Sequence, residues 1–349
     1  MKFPKFRFAF GGLKKPRLRS ACGLDIGSHS VKWVEIRDSG KLELATWSVV
    51  PIKKDKSRES VIAAVKDALQ TSGSVSRRVC SAIGGQSVIA RYIDFPKMTL
   101  EELHSHLEVE ADKYIPFNIK DVILDCQILE EKKEEGKVHV LVVAAKKDAV
   151  NHHISILKEA GLDPELLDVD TFAITNAFEH FLGTQSQARF HALLEIGAKM
   201  TNISILRGAR SLFSRVIPIG GTDFTLAISE KLNLDKDAAE MLKCGGKKSQ
   251  EELFGLIGSS LENLMGEVKL SFDYFENQYD KRVERIYLSG GSSRLPGLLN
   301  YIQKNFNVET LPWDPLEGIT IPSDQIRSQL RGIKEGLTVA VGLALRSGT

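Results

Sequence analysis

Two short segments of the chain place an acidic residue and a glycine at the end of an apolar strand. They read Leu24-Asp25-Ile26-Gly27-Ser28 and Leu194-Glu195-Ile196-Gly197-Ala198. A tight turn after such a strand can wrap a phosphate, because glycine permits close approach and successive N–H groups form an anion-binding concavity. A carboxylate at the strand end suits Mg²⁺, held partly through water. Together the two copies predict a site that grips a polyphosphate and its Mg²⁺ from two sides.

Asp25 and Glu195 are the predicted metal ligands and catalytic carboxylates of this site. Its other predicted ligand contacts lie in or just after the two turns: Gly27, Ser28, His29, Ser30, Lys32, Gly197, Ala198 and Thr201. A single acid-and-glycine hairpin is equally compatible with an ordinary turn. In the same way, His29 could contact the nucleotide or could simply be a residue of the turn. The recurrence of the motif favours the phosphate site.

A third glycine element follows the buried strand Ile286-Tyr287-Leu288. Gly290, Gly291 and Ser292 come next, and paired glycines there let a flat base or ribose pack against the backbone. We expect a helix to begin near Leu295 with Pro296 in its first turn.

The elements that must position these turns are themselves repeated. Each acid-and-glycine turn is followed by an alternating apolar strand, and third strands at 41–49 and 211–219 have the same offset. Helical spacing marks 57–71, 148–160 and 251–279. The pattern predicts a duplicated α/β fold with the ligand between its two lobes.

We assign residues 1–20 to a basic tail, 21–185 to the first lobe and 186–349 to the second. The first lobe carries a small βαββ insert at about 86–145, and the second a helical insert at about 221–277. A last helix at about 333–346 is expected to pack back toward the first lobe.

Composition excludes several classes of protein. The 349 residues suffice for two cores, no apolar run reaches the roughly 18 residues of a membrane span, and the four cysteines form no CxxC pair. The 47 basic residues nearly balance the 45 acidic ones, which argues against a nucleic-acid partner. Two pairs of histidines have no third ligand at the spacing of an HExxH-type zinc site, and we expect them to face solvent: His104 with His106, and His152 with His153.

The first 19 residues contain seven basic residues, four phenylalanines and no acid. Such a tail can lie on an anionic membrane surface, or it can be a solvated arm. Binding to anionic vesicles with and without residues 1–15 separates the two.

The order of the three glycine elements resembles the actin, sugar-kinase and heat-shock-chaperone superfamily, which implies an actin-like (ribonuclease-H-like) fold that binds ATP and Mg²⁺. The superfamily also implies ribose or adenine contacts at Glu240 and Lys243, within Ala239-Glu240-Met241-Leu242-Lys243. A solvated i, i+3 ion pair is the competing interpretation.

Two further segments are more specific than the glycine elements: Tyr114-Ile115-Pro116-Phe117 and Gly342-Leu343-Ala344-Leu345-Arg346. With them, and from about residue 21 to the end, the chain resembles one family within that superfamily, the PilM family of type IV pilus assembly proteins. It implies a cytoplasmic scaffold at the inner membrane that binds the amino-terminal peptide of a bitopic protein, PilN, and acts alongside the pilus motor ATPases. The family usually has aspartate where this chain has Glu195, which predicts slow ATP turnover.

Two other functions stay open: a small-molecule kinase and a pseudo-ATPase of a related secretion system. A kinase needs a general base near its acceptor hydroxyl. Gly84-Gly85-Gln86 supplies no acid, and Asp168 and Asp170 are assigned to the segment that joins the lobes.

Overall fold

The computed structural model describes residues 20–182, 189–208, 210–245 and 249–346. The tail of residues 1–19 lies outside these ranges. Within them, no helix combines the length and the apolar character that crossing a membrane requires.

The first lobe opens with three antiparallel strands, a helix and a fourth strand. These are β1 (Ala21–Ile26), β2 (Ser30–Asp38), β3 (Leu42–Pro51), α1 (Arg58–Ser72) and β4 (Arg78–Ile83). Ser57 caps α1 by accepting a hydrogen bond from the Ser60 N–H, and Gly73 ends the helix in a left-handed conformation.

A small subdomain then interrupts the lobe. It consists of β5 (Val88–Pro96), α2 (Leu100–Glu110), β6 (Val122–Lys132) and β7 (Lys137–Lys146). Its three strands form an antiparallel sheet in the order β5-β7-β6, so that β5 is an edge strand. α2 buries Leu103 and Leu107 against this sheet.

The chain returns to the first lobe through α3 (Lys147–Glu159), β8 (Asp163–Val169) and α4 (Asp170–Leu182). The lobe's sheet has the order β3-β2-β1-β4-β8, with β4 parallel to both β1 and β8.

The second lobe repeats this plan. Its elements are β9 (Phe190–Ile196), β10 (Thr201–Arg207), β11 (Arg210–Ile217), α5 (Gly221–Leu232), α6 (Lys236–Cys244), α7 (Gln250–Tyr279), β12 (Arg285–Ser289), α8 (Leu298–Phe306), β13 (Glu309–Pro312), α9 (Asp324–Leu330) and α10 (Thr338–Ala344). The sheet order β11-β10-β9-β12-β13 matches the first lobe strand for strand, with the parallel pairs in the same places. The predicted duplication is confirmed.

Two helices, α4 and α10, cross where the lobes meet. α10 follows the second lobe in sequence but packs on α4 and β1. The contacts are between backbones: a Cβ on Gly342 would overlap the carbonyl of Ala173, and a Cβ on Gly23 that of Ala340. Two glycines therefore set the distance at which α10 lies on the first lobe.

Two local expectations were wrong. Pro296 is not in a helix, because Gly297 has a φ of 80° and α8 begins only at Leu298. His153 does not face solvent: its Nε2 lies 2.7 Å from the hydroxyl of Ser81, and burial lowers its pKa to about 4. His152 beside it is exposed, as expected.

We expect Gly342→Ala to lower the stability of the chain by about 1–3 kcal/mol, because the added methyl must displace α4. Gly255→Ala is the matched control, since Gly255 lies within α7 with open space around it. That change should be neutral or stabilise by up to about 1 kcal/mol. Urea unfolding followed by circular dichroism measures both. Equal midpoints for the two variants would contradict the backbone contact.

Candidate functional site

Four charged side chains meet at the facing ends of the two sheets. Asp25 stands near the end of β1 and Glu195 near the end of β9, while Asp170 follows directly after β8. Lys32, opposite Asp25 in the β1–β2 ladder, donates from Nζ to Asp25 Oδ2 at 2.8 Å. Glu195 accepts a hydrogen bond of 2.9 Å from Asn202 Nδ2.

The pKa values of these groups show how closely they interact. Burial, and then the charges of Asp25 and Glu195, raise the pKa of Asp170 to about 8. Burial also raises the pKa of Glu195, although Asn202 and Lys32 oppose it. For Lys32, burial favours a lower pKa, but Asp25 and the other two carboxylates outweigh it and raise the pKa. The cleft is therefore a confined acidic site with one internal ammonium, and this suits a cation better than a bare anion.

The two acid-and-glycine turns have the same backbone geometry. Each is a two-residue turn closed by a hydrogen bond: Gly27 N–H donates to the Ser30 carbonyl at 3.1 Å, and Gly197 N–H to the Met200 carbonyl at 2.9 Å. Within the described ranges, no hydrogen bond uses the N–H groups at the two tips, which are those of Ser28, His29, Ala198 and Lys199. These four donors are available to phosphate oxygens.

The third glycine element is fastened to the second turn. Ser292 Oγ donates to the Gly197 carbonyl at 2.9 Å, and the Gly221 N–H donates to the same oxygen at 3.0 Å. Gly290 has a φ of 90°, and a Cβ there would overlap the carbonyl of Ile196. Gly290 and Ser292 thus hold the element in place, while the space in front of Gly291 is open.

The pair Glu240 and Lys243 is not the solvated ion pair that the sequence also allowed. Lys243 is 8% exposed, and its Nζ donates to the Gly221 carbonyl at 3.0 Å, to Thr225 Oγ1 at 2.9 Å and to Glu240 Oε2 at 2.7 Å. Through these hydrogen bonds α6 is held against the start of α5, next to the third glycine element. Its predicted nucleotide contact stays a prediction.

Other predicted residues are placed as follows. His29 is exposed at the tip of the first turn, and Ser30 is buried at the start of β2. Thr201, which follows the second turn, is fully buried, and its hydroxyl donates to the Ile219 carbonyl at 2.7 Å. It therefore has a structural contact in the second lobe. Lys32 stands beside the first turn, with Nζ 2.8 Å from where a Cβ on Gly27 would lie.

Sequence reasoning missed Asp170. β8 and β4 are parallel and end together at Ile83 and Val169, so the next residues, Gly84 and Asp170, touch. A signal was present, since Asp170 follows an apolar strand just as Asp25 and Glu195 end theirs. Gly84-Gly85-Gln86 itself supplies no acid, but Asp170, which was assigned to the segment that joins the lobes, lies beside Gly84.

Asp25 and Glu195 fit an Mg²⁺ ion of the kind that takes one or two carboxylates and keeps water and phosphate oxygens for the rest of its shell. Across the described ranges, no group of three or more acidic, histidine or cysteine side chains forms a ready metal cage.

A recess adjoins the cleft on the side of the insert. Its volume is about 340 Å³, and its walls are Gly84–Gln86, the start of β5, Phe117, Asp170, Asn202 and Phe213–Val216. A second recess of about 400 Å³ continues it along β11 toward Leu270 and Tyr274 on α7. Both recesses lie between edge strands, β5 of the insert and β11 of the second lobe.

A family model described as Type IV pilus assembly protein PilM matches residues 23–348. The chain belongs to the PilM family. It is also 32% identical to a solved structure described as "PilM-PilN type IV pilus biogenesis complex", over 96% of this chain and 100% of that one, with a TM-score of 0.86. The predicted family, and with it a role in type IV pilus assembly, are confirmed.

More distant structures share the fold of this PilM family member. EutJ, an ethanolamine utilization protein from Carboxydothermus hydrogenoformans, matches at 16% identity over 95% of this chain and 90% of its own, with a TM-score of 0.56. MreB5 of Spiroplasma citri bound to AMPPNP matches at 11% identity over 94% and 95%, with a TM-score of 0.51. These likenesses confirm the two-lobed actin-like fold.

We expect Gly291→Leu to abolish binding of Mg-ATP without unfolding the protein, because the new side chain enters only the space in front of the third glycine element. Gly255→Leu, in open space on α7, is the control and should bind as the wild type does. Isothermal titration calorimetry measures the affinities, and a melting curve checks the folding. An unchanged affinity for Mg-ATP in Gly291→Leu would mean that the base of the nucleotide does not lie in front of Gly291.

Proposed function

We propose that this PilM family member is a nucleotide-binding scaffold of type IV pilus assembly, which binds Mg-ATP between its lobes and a PilN-like partner beside its insert. The observation that carries the proposal is the full-length likeness to a PilM–PilN complex, at a TM-score of 0.86. The cleft supplies the chemistry for the nucleotide half of the proposal.

The free N–H groups at the tips of the two turns support ATP as the ligand. One turn belongs to each lobe, and each turn is closed by its own hydrogen bond. Such preorganised donors bind phosphate without being ordered at the moment of binding. The open face of Gly291 leaves room for the ribose or base, and the buried Lys243 keeps α6 close by.

Asp25 and Glu195 would hold the Mg²⁺ that neutralises the phosphates. Bound there, the ion would shield the phosphate charges from the acidic cleft. Lys32 is ion-paired with Asp25 and its Nζ lies beside the first turn, so its ammonium group would be available to a phosphate oxygen there. Asn202 fixes the carboxylate of Glu195 in place.

The recess between β5 of the insert and β11 of the second lobe supports the partner half of the proposal. It is long, it is bordered by apolar side chains such as Phe117 and Phe213, and the two edge strands offer unpaired backbone groups to an extended peptide. The amino-terminal peptide of a PilN-like inner-membrane protein is its proposed occupant. Pilus motor ATPases are proposed as further partners through this assembly.

The proposed location is the cytoplasmic face of the inner membrane, where the partner would hold the protein. The basic tail of residues 1–19 can add contact with anionic lipid. The competing kinase function needs a general base, and Asp170 beside Gly84 could supply one. Membership of the PilM family nevertheless favours the scaffold.

We expect the amino-terminal peptide of the PilN-like protein to bind this recess. Gln86→Trp should weaken that binding at least tenfold, because Gln86 is exposed at the recess wall and a large ring there obstructs it. Val109→Trp is the control, since Val109 lies on the same subdomain, 78% exposed and away from the recess. Fluorescence anisotropy of a labelled peptide gives the affinities. Equal weakening by both variants, or by neither, would move the partner to another surface.

We expect the wild type to hydrolyse ATP at well under about 1 s⁻¹, the lower end of ordinary kinases, because positioning supplies most of the catalysis in phosphoryl transfer. Glu195 reaches one methylene further than the aspartate it replaces, and Asn202 fixes it there. Glu195→Asp should turn over faster, while Glu262→Asp on the exposed side of α7 should not. Phosphate release is measured with and without the partner peptide. Brisk turnover by the wild type alone would refute a mainly structural role, and acceleration by a small hydroxyl compound would favour a kinase.

A further inference from the structure

The first recess, the one bordered by Gly84–Gln86, has a polar inner end. Asp170 and Asn202 line this recess but not the second one. Asp170 is half-buried, and Asn202 is 7% exposed. Asn202 donates to Glu195 in the cleft, and the charge of Glu195 also acts on Asp170. The recess and the cleft therefore meet at these two residues.

The three carboxylates of the cleft differ in their partners. Asp25 forms an ion pair with Lys32, and Glu195 accepts the hydrogen bond just described. Asp170 forms neither a hydrogen bond nor an ion pair with any residue that the structure describes. Its Oδ2 lies against Gly84 at the wall of the recess, where a Cβ on Gly84 would overlap it. A carboxylate without a partner thus borders the space that a ligand can enter.

Asn202 adds a second acceptor at the same end. Its Nδ2 donates to Glu195, so its Oδ1 lies on the other side of the amide, and no described residue donates to that oxygen. A buried acceptor without a donor is unfavourable, and a ligand that brings an N–H group relieves this. Asp170 and Asn202 therefore both favour a ligand that donates hydrogen bonds.

The charges around this end favour a donor that is positively charged. Three carboxylates stand against the single ammonium group of Lys32, and their repulsion contributes to the raised pKa of Asp170. An excess of negative charge in a confined place attracts a cation. A protonated amine or a guanidinium group supplies both the charge and the N–H donors.

The two recesses together have a direction. Arg91 and Arg215 line both of them, so these cations lie at the junction rather than at the inner end. Beyond the junction, the second recess is bordered by Leu270 and Tyr274, which are more than half exposed. An extended peptide fits this order of chemistry when its cation is at the inner end and its apolar side chains follow.

We propose that Asp170 and Asn202 form a cation-binding end of the first recess, which holds a positively charged nitrogen of the partner's peptide: its terminal ammonium group or a lysine or arginine side chain. The inference rests on the proposed partner site and adds the chemistry and the direction of the bound peptide. Asp170 pairs with the charge, and Asn202 accepts a further N–H. The peptide then runs along β11 toward Leu270 and Tyr274.

The test measures binding of the amino-terminal peptide of the PilN-like protein, labelled at its carboxyl end, to the whole chain by fluorescence anisotropy. Asp170→Asn removes the charge and keeps the shape, so it should weaken binding by roughly 10- to 100-fold, the range for hydrogen bonds to charged groups. Asp163→Asn is the matched control, since Asp163 is exposed at the opposite end of β8, and it should leave the affinity unchanged. Melting curves check that both variants are folded.

Two altered peptides identify the nitrogen. One is acetylated at its amino end, and in the other norleucine replaces every lysine and arginine. The peptide that lacks the bound cation should lose the same factor on the wild-type protein, a measurement that does not depend on how a variant folds. Asp170→Asn should weaken that peptide no further, because the charge it would pair with is already gone.

The outcomes separate this inference from the site on which it rests. If the wild type does not bind the peptide, or if Gln86→Trp binds it equally well, the proposed partner site is refuted and the inference with it. If Gln86→Trp weakens binding but Asp170→Asn does not, the partner site stands and the cation contact is refuted. Losses from Asp170→Asn and from the altered peptides that simply add also refute the contact. A loss that Asp170→Asn shares with one altered peptide, without adding to it, supports the contact.

Discussion

The two lobes can share one ligand site because two helices cross between them in backbone contact. Gly342 lets α10 approach α4, and Gly23 lets the same helix lie on β1. α10 comes from the end of the chain, after the whole second lobe, yet it forms part of the core of the first. This crossing sets how the ends of β1 and β9 face each other, and any side chain at either glycine would push the lobes apart.

The placement of the cleft charges follows from that arrangement. Three carboxylates stand at the ends of strands from both sheets, and they are held near enough to raise the pKa of Asp170 to about 8. Asp25 and Asp170 come from the first lobe, and the second lobe adds the charge of Glu195. Lys32 lessens the repulsion among the carboxylates from within the first lobe, where its Nζ donates to Asp25.

Much of this could be predicted from the sequence, because the information was local. Each acid-and-glycine turn is encoded within about ten residues, and its recurrence revealed the duplicated fold. What escaped prediction depends on long-range pairing. Asp170 reaches the cleft because β8 pairs in parallel with β4, about 80 residues earlier in the chain. Lys243 is buried because it meets the Gly220-Gly221 turn, and His153 because it meets Ser81. Helical spacing alone does not identify these neighbours.

Asn202 stands between two parts of the molecule. Its amide holds Glu195 in the cleft, and its side chain also forms part of the wall of the recess beside the insert. Any occupant of the recess that moves this one amide alters the free energy of the carboxylate behind it. Thermodynamic linkage then makes the effect reciprocal, so that whatever binds at Glu195 changes the affinity of the recess by the same factor. A single side chain thus provides the shortest route for coupling between the two sites.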